Sequence, residues 1–254
     1  MAATCSSLHS RHGRFAYTST AACCLTLFLL AATQVDVASA SRASRSGLPG
    51  AAVQVVSSAS APTPWPSSFS ASFTETVKYL FIKSSTTGRL FYDFPYERMD
   101  RENGEGDRYC GTATGKKLKK VSCSHVVTNG TQGFARYLVF GDGDCCFCCS
   151  TENGCGATKP DWAANGEYQG QDTVAGVVCD KFSVKGLQTN LYWIAANASS
   201  TVATPVRLLQ KPDDDMIFSD VSVGKFDPST FALPGKCDKS CGGTCALVGA
   251  RSDA

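Results

Sequence analysis

Four cysteines fall within five residues, Cys145-Cys146-Phe147-Cys148-Cys149, shortly after the apolar run Tyr137-Leu138-Val139-Phe140. Thiols at this density can form disulfides, hold a soft metal such as zinc or copper, or exchange electrons. Cys145-x-x-Cys148 and Cys146-x-Cys148 resemble pieces of metal sites. A compact metal knuckle, however, needs Gly-bearing turns and reduced thiols, and a redox Cys-x-x-Cys belongs at a helix start in a βαβ setting. The chain has fourteen cysteines in 254 residues. That usage points to an oxidising compartment, where disulfides persist. The expectation is structural disulfides, with no metal and no cofactor; a metal site in the Cys145–Cys149 cluster is the alternative.

In a regular strand Cys145, Phe147 and Cys149 face one way and Cys146 and Cys148 the other. Neighbours at i and i+2 are too far apart to bridge easily. The four are therefore expected to reach across to Cys110, Cys123, Cys155 and Cys179. Sequence alone does not settle which pairs with which. The tail adds Cys237, Cys241 and Cys245. Without Cys5, Cys23 and Cys24, which precede the expected leader cleavage site, eleven cysteines remain. That number is odd, so one thiol is free or links to a second chain as a disulfide-bonded dimer.

Other chemistry is sparse. His9 and His12 lie ahead of the leader's apolar segment, so the mature chain keeps only His125. This excludes His-rich metal centres and leaves a single imidazole base. A Gly-x-Ser-x-Gly elbow, a phosphate loop and a dinucleotide fingerprint are all absent. His125 reads as a satisfied strand residue. Asp213-Asp214-Asp215 lacks the spaced oxygens of a calcium loop and reads as a solvated turn. An enzyme acting on glycans or thiols would draw on Asp93, Asp161 and Arg207, which nothing in the sequence relates to one another. No catalytic site is expected. A net charge of +2 gives no pull toward nucleic acid.

The elements that must position these residues are mostly strands. Residues 1–40 read as a secretory signal: Arg11 and Arg14, the apolar stretch Ala21 to Ala32, and the small-x-small site Ala38-Ser39-Ala40. The apolar stretch is too short to span a membrane. Residues 41–64 read as a disordered Ser/Ala/Pro linker. From Phe69 to Phe81 apolar residues alternate, with only Glu75 interrupting, which predicts a half-buried antiparallel strand. A turn at Thr86-Thr87-Gly88 leads to a second strand, Arg89 to Phe94. Residues 97–120 read as a polar loop, with Lys116, Lys117, Lys119 and Lys120 solvated. Further strands are expected over 123–128, 134–141, 174–184, 188–195, 203–210 and 216–223, with one helical turn over 160–165. Asn129-Gly130-Thr131 and Asn197-Ala198-Ser199 are N-glycosylation acceptors. The β domain runs over 65–237, followed by an irregular Cys/Gly-rich tail over 238–254.

Several motifs fall in a recognisable order: Trp65-Pro66-x-x-Phe69, Leu90-Phe91-Tyr92-Asp93-Phe94, the cysteine cluster, Pro160-Asp161-Trp162, Cys179-x-x-Phe182, Leu191-Tyr192-Trp193, Pro205-Val206-Arg207 and Phe231-x-x-Pro234-x-x-Cys237. This order resembles secreted proteins of plants, algae and oomycetes, and is more distantly similar to ependymin-related proteins. The resemblance implies an all-β fold with minor helix: a single curved antiparallel sheet, an open half-barrel like that of bacterial lipoprotein carriers. It also implies a concave face able to hold a lipid or other hydrophobic ligand. Phe73, Tyr79, Phe81, Tyr92 and Trp193 are the expected lining. Such inward rows need cover, by a second layer of chain or by a ligand. The expected function is a secreted, disulfide-stabilised binding protein without catalysis. An extracellular structural or adhesive protein cross-linked through cysteines is the alternative.

Overall fold

Alternation of apolar and polar side chains forces each strand to bury one face, and the strands meet that demand by joining one sheet. The computed structural model describes residues 61–79, 82–115, 120–186, 188–196, 201–211 and 213–249. The expected leader, residues 41–60 of the linker, Phe81, Asn197, Lys116, Lys117 and Lys119 lie outside them. The strands are β1 Ser68–Tyr79, β2 Ile82–Asp93, β3 Tyr96–Arg101, β4 Cys123–Gly130, β5 Gly133–Phe140, β6 Cys145–Ser150, β7 Glu167–Val174, β8 Val177–Lys185, β9 Thr189–Ala195, β10 Pro205–Gln210 and β11 Asp214–Val223. Two short helices, α1 Arg108–Thr112 and α2 Thr244–Gly249, accompany them.

The eleven strands form one antiparallel sheet in the order β6-β5-β4-β3-β2-β1-β11-β10-β9-β8-β7. Two meanders are thus joined where β1 pairs with β11, through Phe73↔Phe218 and Glu75↔Met216. The sheet is open, with β6 and β7 as its edges. It is also strongly bent. β2 and β9 are four strand places apart, roughly 19 Å in a flat sheet. Yet the rings of Tyr92 on β2 and Tyr192 on β9 lie 5.6 and 6.3 Å from that of Trp65. The sheet therefore curls around Trp65, and the expected open half-barrel is the architecture observed.

The concave face is covered by the chain itself. Trp65, Phe69, Tyr92, Phe182, Tyr192 and Phe218 form its core, with Trp162 packed against them. The lead-in to β1 is pinned by Trp65 N–H donating to Pro160 O (2.9 Å) and by Pro64 O accepting from Ala203 N–H (2.8 Å). The expected helical turn at 160–165 is a run of turns whose N–H groups donate three residues back, as Ala164 does to Asp161 O (2.8 Å).

Three strand expectations change. β2 starts at Ile82, and Thr86-Thr87-Gly88 lie inside it rather than in a turn. Gly88 is needed there because a Cβ would overlap the Asp100 carbonyl and come within 2.6 Å of the Phe73 ring. The strand expected over 174–184 begins only at Val177, as β8, because Ala175 and Gly176 turn with φ of 49° and 83° between β7 and β8. The first five residues of the expected polar loop, 97–101, belong to strand β3. Its inward residues are Glu97, Met99 and Arg101, so it lacks the apolar alternation that marks a strand.

The cysteines pair differently from the expectation. Cys145, Cys146 and Cys148 reach the tail, at Cys237, Cys241 and Cys245. Cys149 closes a short loop to Cys155, and Cys110 bridges Cys123. The tail lies along the β6 edge: Phe147 N–H donates to Lys239 O and Cys241 N–H to Phe147 O, both at 2.8 Å. A bulge at Arg136/Tyr137 also turns Cys149 onto the side of Cys146 and Cys148, breaking the strict alternation. Every cysteine of the cluster has a cysteine partner at disulfide distance. Cys179, expected among the bridged residues, is the free one. It is 0% exposed, beneath Val174 and Trp193. A cross-link to another chain would need that buried thiol to surface.

Candidate functional site

Glu75 is the one polar residue in the inward row of β1, and the site is built around it. Within the bend its neighbours on the same face come from four other segments. Arg101 ends β3, Asp107 precedes α1, His125 lies on β4 and Asp214 opens β11. All five are buried. Isolated charges are costly in such a place, so they persist only by pairing.

Arg101 is the hub. Its Nε donates to Glu75 Oε2, its Nη1 to Met99 O (3.2 Å), and its Nη2 lies 3.5 Å from Asp107 Oδ2. Asp107 Oδ1 accepts from the Cys110 N–H (2.7 Å), capping α1, and lies 3.0 Å from His125 Nε2. Tyr109 stands edge-on to the imidazole at 5.4 Å. Beyond them Arg136 Nη2 lies 3.7 Å from Glu97 Oε1 and donates to Gly156 O (3.1 Å).

The electrostatics follow from burial and from these partners. Burial lowers His125 to about 4, ahead of the opposing pull of Asp107, so the ring is neutral at pH 7. Burial alone would raise Asp107, but Arg101, His125 and the Cys110 N–H outweigh it and hold it well below the usual carboxylate range. Burial drives Glu75 well up despite Arg101. Asp214 is lifted to about 7 by burial first and then by the charge of Asp107.

These groups line a cavity of about 100 Å³ on the concave face. Trp65, Leu90, Met99, Met216 and Phe218 also line it, with Met216 beside Glu75 and Met99 beside His125 in the sheet. The lining is thus mixed, with apolar side chains and buried charged groups side by side.

Of the residues expected to line a cavity, Phe73, Tyr92 and Trp193 are not among those lining this one, and Phe73 lines a separate hollow beside Gly88. Phe73 is buried on the concave face, with the Arg101 guanidinium 5.5 Å from its ring across Gly88. Tyr92 is fully buried, its hydroxyl donating to Thr158 O (2.7 Å). Trp193 is on the opposite face of the sheet, with Arg207 and Lys181 at 4.6 and 5.2 Å from its ring and Asp172 accepting from its Nε1 (3.2 Å). Tyr192, one residue away, takes the inward place, because successive strand residues point to opposite faces. Phe81 and the side chain of Tyr79 lie outside the described residues.

Asp213, Asp214 and Asp215 are not a solvated turn: Asp213 pairs with Arg108, Asp215 binds Arg207 through two 2.8 Å bonds, and Asp214 is buried. The polar trio is dispersed, with Arg207 on the convex face and Asp161 in the turn beside Tyr92. Asn129 is exposed near the end of β4. Sequence reasoning passed over Glu75, Arg101 and Asp107. The available signal was Glu75 itself, a carboxylate interrupting an otherwise apolar row.

No family model matches the chain, and no curated protein matches it. Among solved structures it is similar to an uncharacterised conserved protein from Thermus thermophilus, at 8% identity and a TM-score of 0.40, covering 68% of this chain and 88% of that one. It is also similar to a DUF1329 family protein from Desulfovibrio piger, at 7% identity and a TM-score of 0.35, covering 66% and 90%. A LolA superfamily protein from Nitrosomonas europaea shares 7% identity at a TM-score of 0.28, covering 65% and 90%.

Proposed function

We propose that this half-barrel binds a small amphiphile on its concave face and carries out no covalent step on it. One observation carries the reading: a cavity of about 100 Å³ is lined by both apolar side chains and buried charged groups. Ligand sites combine a mostly apolar lining with a few placed polar groups, and this cavity has both. It is smaller than the roughly 300–1,000 Å³ that drug-sized ligands occupy. A short amphiphile therefore fits as the fold stands, whereas a long acyl chain requires the lead-in at Trp65 to lift away. The resemblance to ependymin-related proteins supports a hydrophobic ligand.

We also place the mature domain outside the cell. Five disulfides among the described residues support this, because such bridges persist in oxidising compartments. No described helix is long and apolar enough to cross a membrane. Asn129 and Asn197 are the glycan acceptors of this reading.

Trp65 lines the cavity and Trp193 is on the other face, so the protein carries its own reporter. Titration with short-chain alcohols and amines should change tryptophan emission in the wild type and in Trp193→Phe. The change should shrink in Trp65→Phe. Emission that stays flat for every compound, together with a protein that yields no small molecule on extraction and mass spectrometry, would refute the reading.

A further inference from the structure

Asp214 is 9% exposed and lines the cavity, yet its carboxylate makes no hydrogen bond or ion pair with any described residue. Its neighbours differ. Asp213 has Arg108 and Asp215 has Arg207. A carboxylate this nearly buried and without a hydrogen-bond partner in the protein is costly to ionise. We propose that the cavity takes a protonated amine, its ammonium group against Asp214 and its short apolar chain along Trp65, Leu90 and Met216. This inference rests on the amphiphile reading above and names the ligand's head group.

The pairing of these groups favours a cation. Glu75, Glu97, Asp107 and Asp214 face the cavity against Arg101 and Arg136. Arg101 is held by Glu75, Asp107 and Met99 O, and Arg136 by Glu97 and Gly156 O. Asp214 is the carboxylate left over, so an added positive charge completes the set and an added negative one worsens it. A metal ion is disfavoured by geometry. Among the described residues, the clusters whose ligand atoms lie within 4.8 Å of one another each depend on cysteines already in disulfides. The volume also suits an ammonium group with a short alkyl chain: an engineered cavity of about 150 Å³ holds benzene.

Binding should be coupled to pH. The charged groups acting on Asp214 are Glu75 on β1, Arg101 on β3, Asp107 and Arg108 at α1, and Asp213 on its own segment, with neutral His125 lining the same cavity. With Asp214 titrating at about 7, the carboxylate fraction rises roughly tenfold from pH 6 to pH 8. An alkylamine stays protonated throughout, its pKa being near the lysine value of about 10.4. Amine affinity should therefore rise about tenfold over that range.

The test is isothermal titration of the disulfide-intact protein with hexylamine, hexan-1-ol and hexanoate at pH 6 and pH 8. The wild type should bind the amine most tightly, with the tenfold rise. Asp214→Asn should lose both the preference and the rise while keeping its circular dichroism and its affinity for hexanol; Asp215→Asn, on the other face with Arg207, should behave as wild type. If hexanol or hexanoate binds the wild type as well as the amine does, or if the rise survives in Asp214→Asn, the amine proposal is overturned while the amphiphile reading stands. If the wild type binds none of the three, both fall.

Discussion

His125 and Asp214 line the same cavity, yet burial moves them in opposite directions on the pH axis. Each disfavoured form is the charged one, imidazolium for the histidine and carboxylate for the acid. In the folded protein His125 titrates at about 4, against about 6.5 unfolded, so the unfolded chain binds more protons and stability rises with pH over that window. Asp214 titrates at about 7, against about 3.9 unfolded, so the folded chain binds more protons and stability falls as pH rises from about 4 to 7. Glu75 works in the same direction as Asp214. Above about pH 6.5 the histidine contribution is complete and only the acids still act. Denaturant melts should therefore show stability declining from pH 6.5 to 7.5, and Asp214→Asn should flatten that decline. Asp107 behaves differently, because it is an acceptor shared by Arg101, His125 and the α1 cap. Asp107→Ala strands the Arg101 charge and should cost about 3–5 kcal/mol in the same assay. None of this could be read from residue types, since the polar groups gathered in the cavity with Glu75 come from positions 101, 107, 125 and 214. The polarity of Glu75 within an apolar row was legible, but its meaning was not.

Among the elements, the long alternating strands were legible and β3 was not. β1 announces itself because its inward side chains other than Glu75 are apolar. β3 carries Glu97 and Arg101 inward, where partners on other segments compensate them, so its local pattern resembles a loop. Gly88 shows the same limit. Beside two threonines it reads as a turn residue, but in the sheet it makes room for Phe73 beneath Arg101. Gly88→Ala should force that contact apart and lower stability by about 1–3 kcal/mol, measured by thermal melting. The tail is the third case. Its cysteines at 237, 241 and 245 approach β6 only because the chain returns along that edge. The Cys148–Cys245 bridge spans 97 positions. Replacing both residues by serine should destabilise the domain by roughly 2–4 kcal/mol to denaturant, because a long closed loop greatly restricts the unfolded chain. The effect should be smaller than for an isolated bridge of that span, since two neighbouring bridges constrain nearly the same loop.

For the whole molecule, the free thiol gives a direct check on the pairing scheme. Cys179 lies beneath Trp193, and burial raises its pKa. A thiol reagent should label none of it in the native mature protein and one equivalent after unfolding without reductant, and non-reducing electrophoresis should show a monomer. The antiparallel class and the bridging of the cysteines followed from composition and alternation, because those depend on composition and on neighbours a few residues apart. The tertiary structure alone decided which thiol is left over, which aromatic points inward and where the charges gather. Those outcomes depend on how far the sheet bends and on the strand register, and one residue of register reverses every face. The bend brings β2 and β9 to the same tryptophan and gathers charged groups from segments more than a hundred residues apart. No local pattern in the chain encodes that distance.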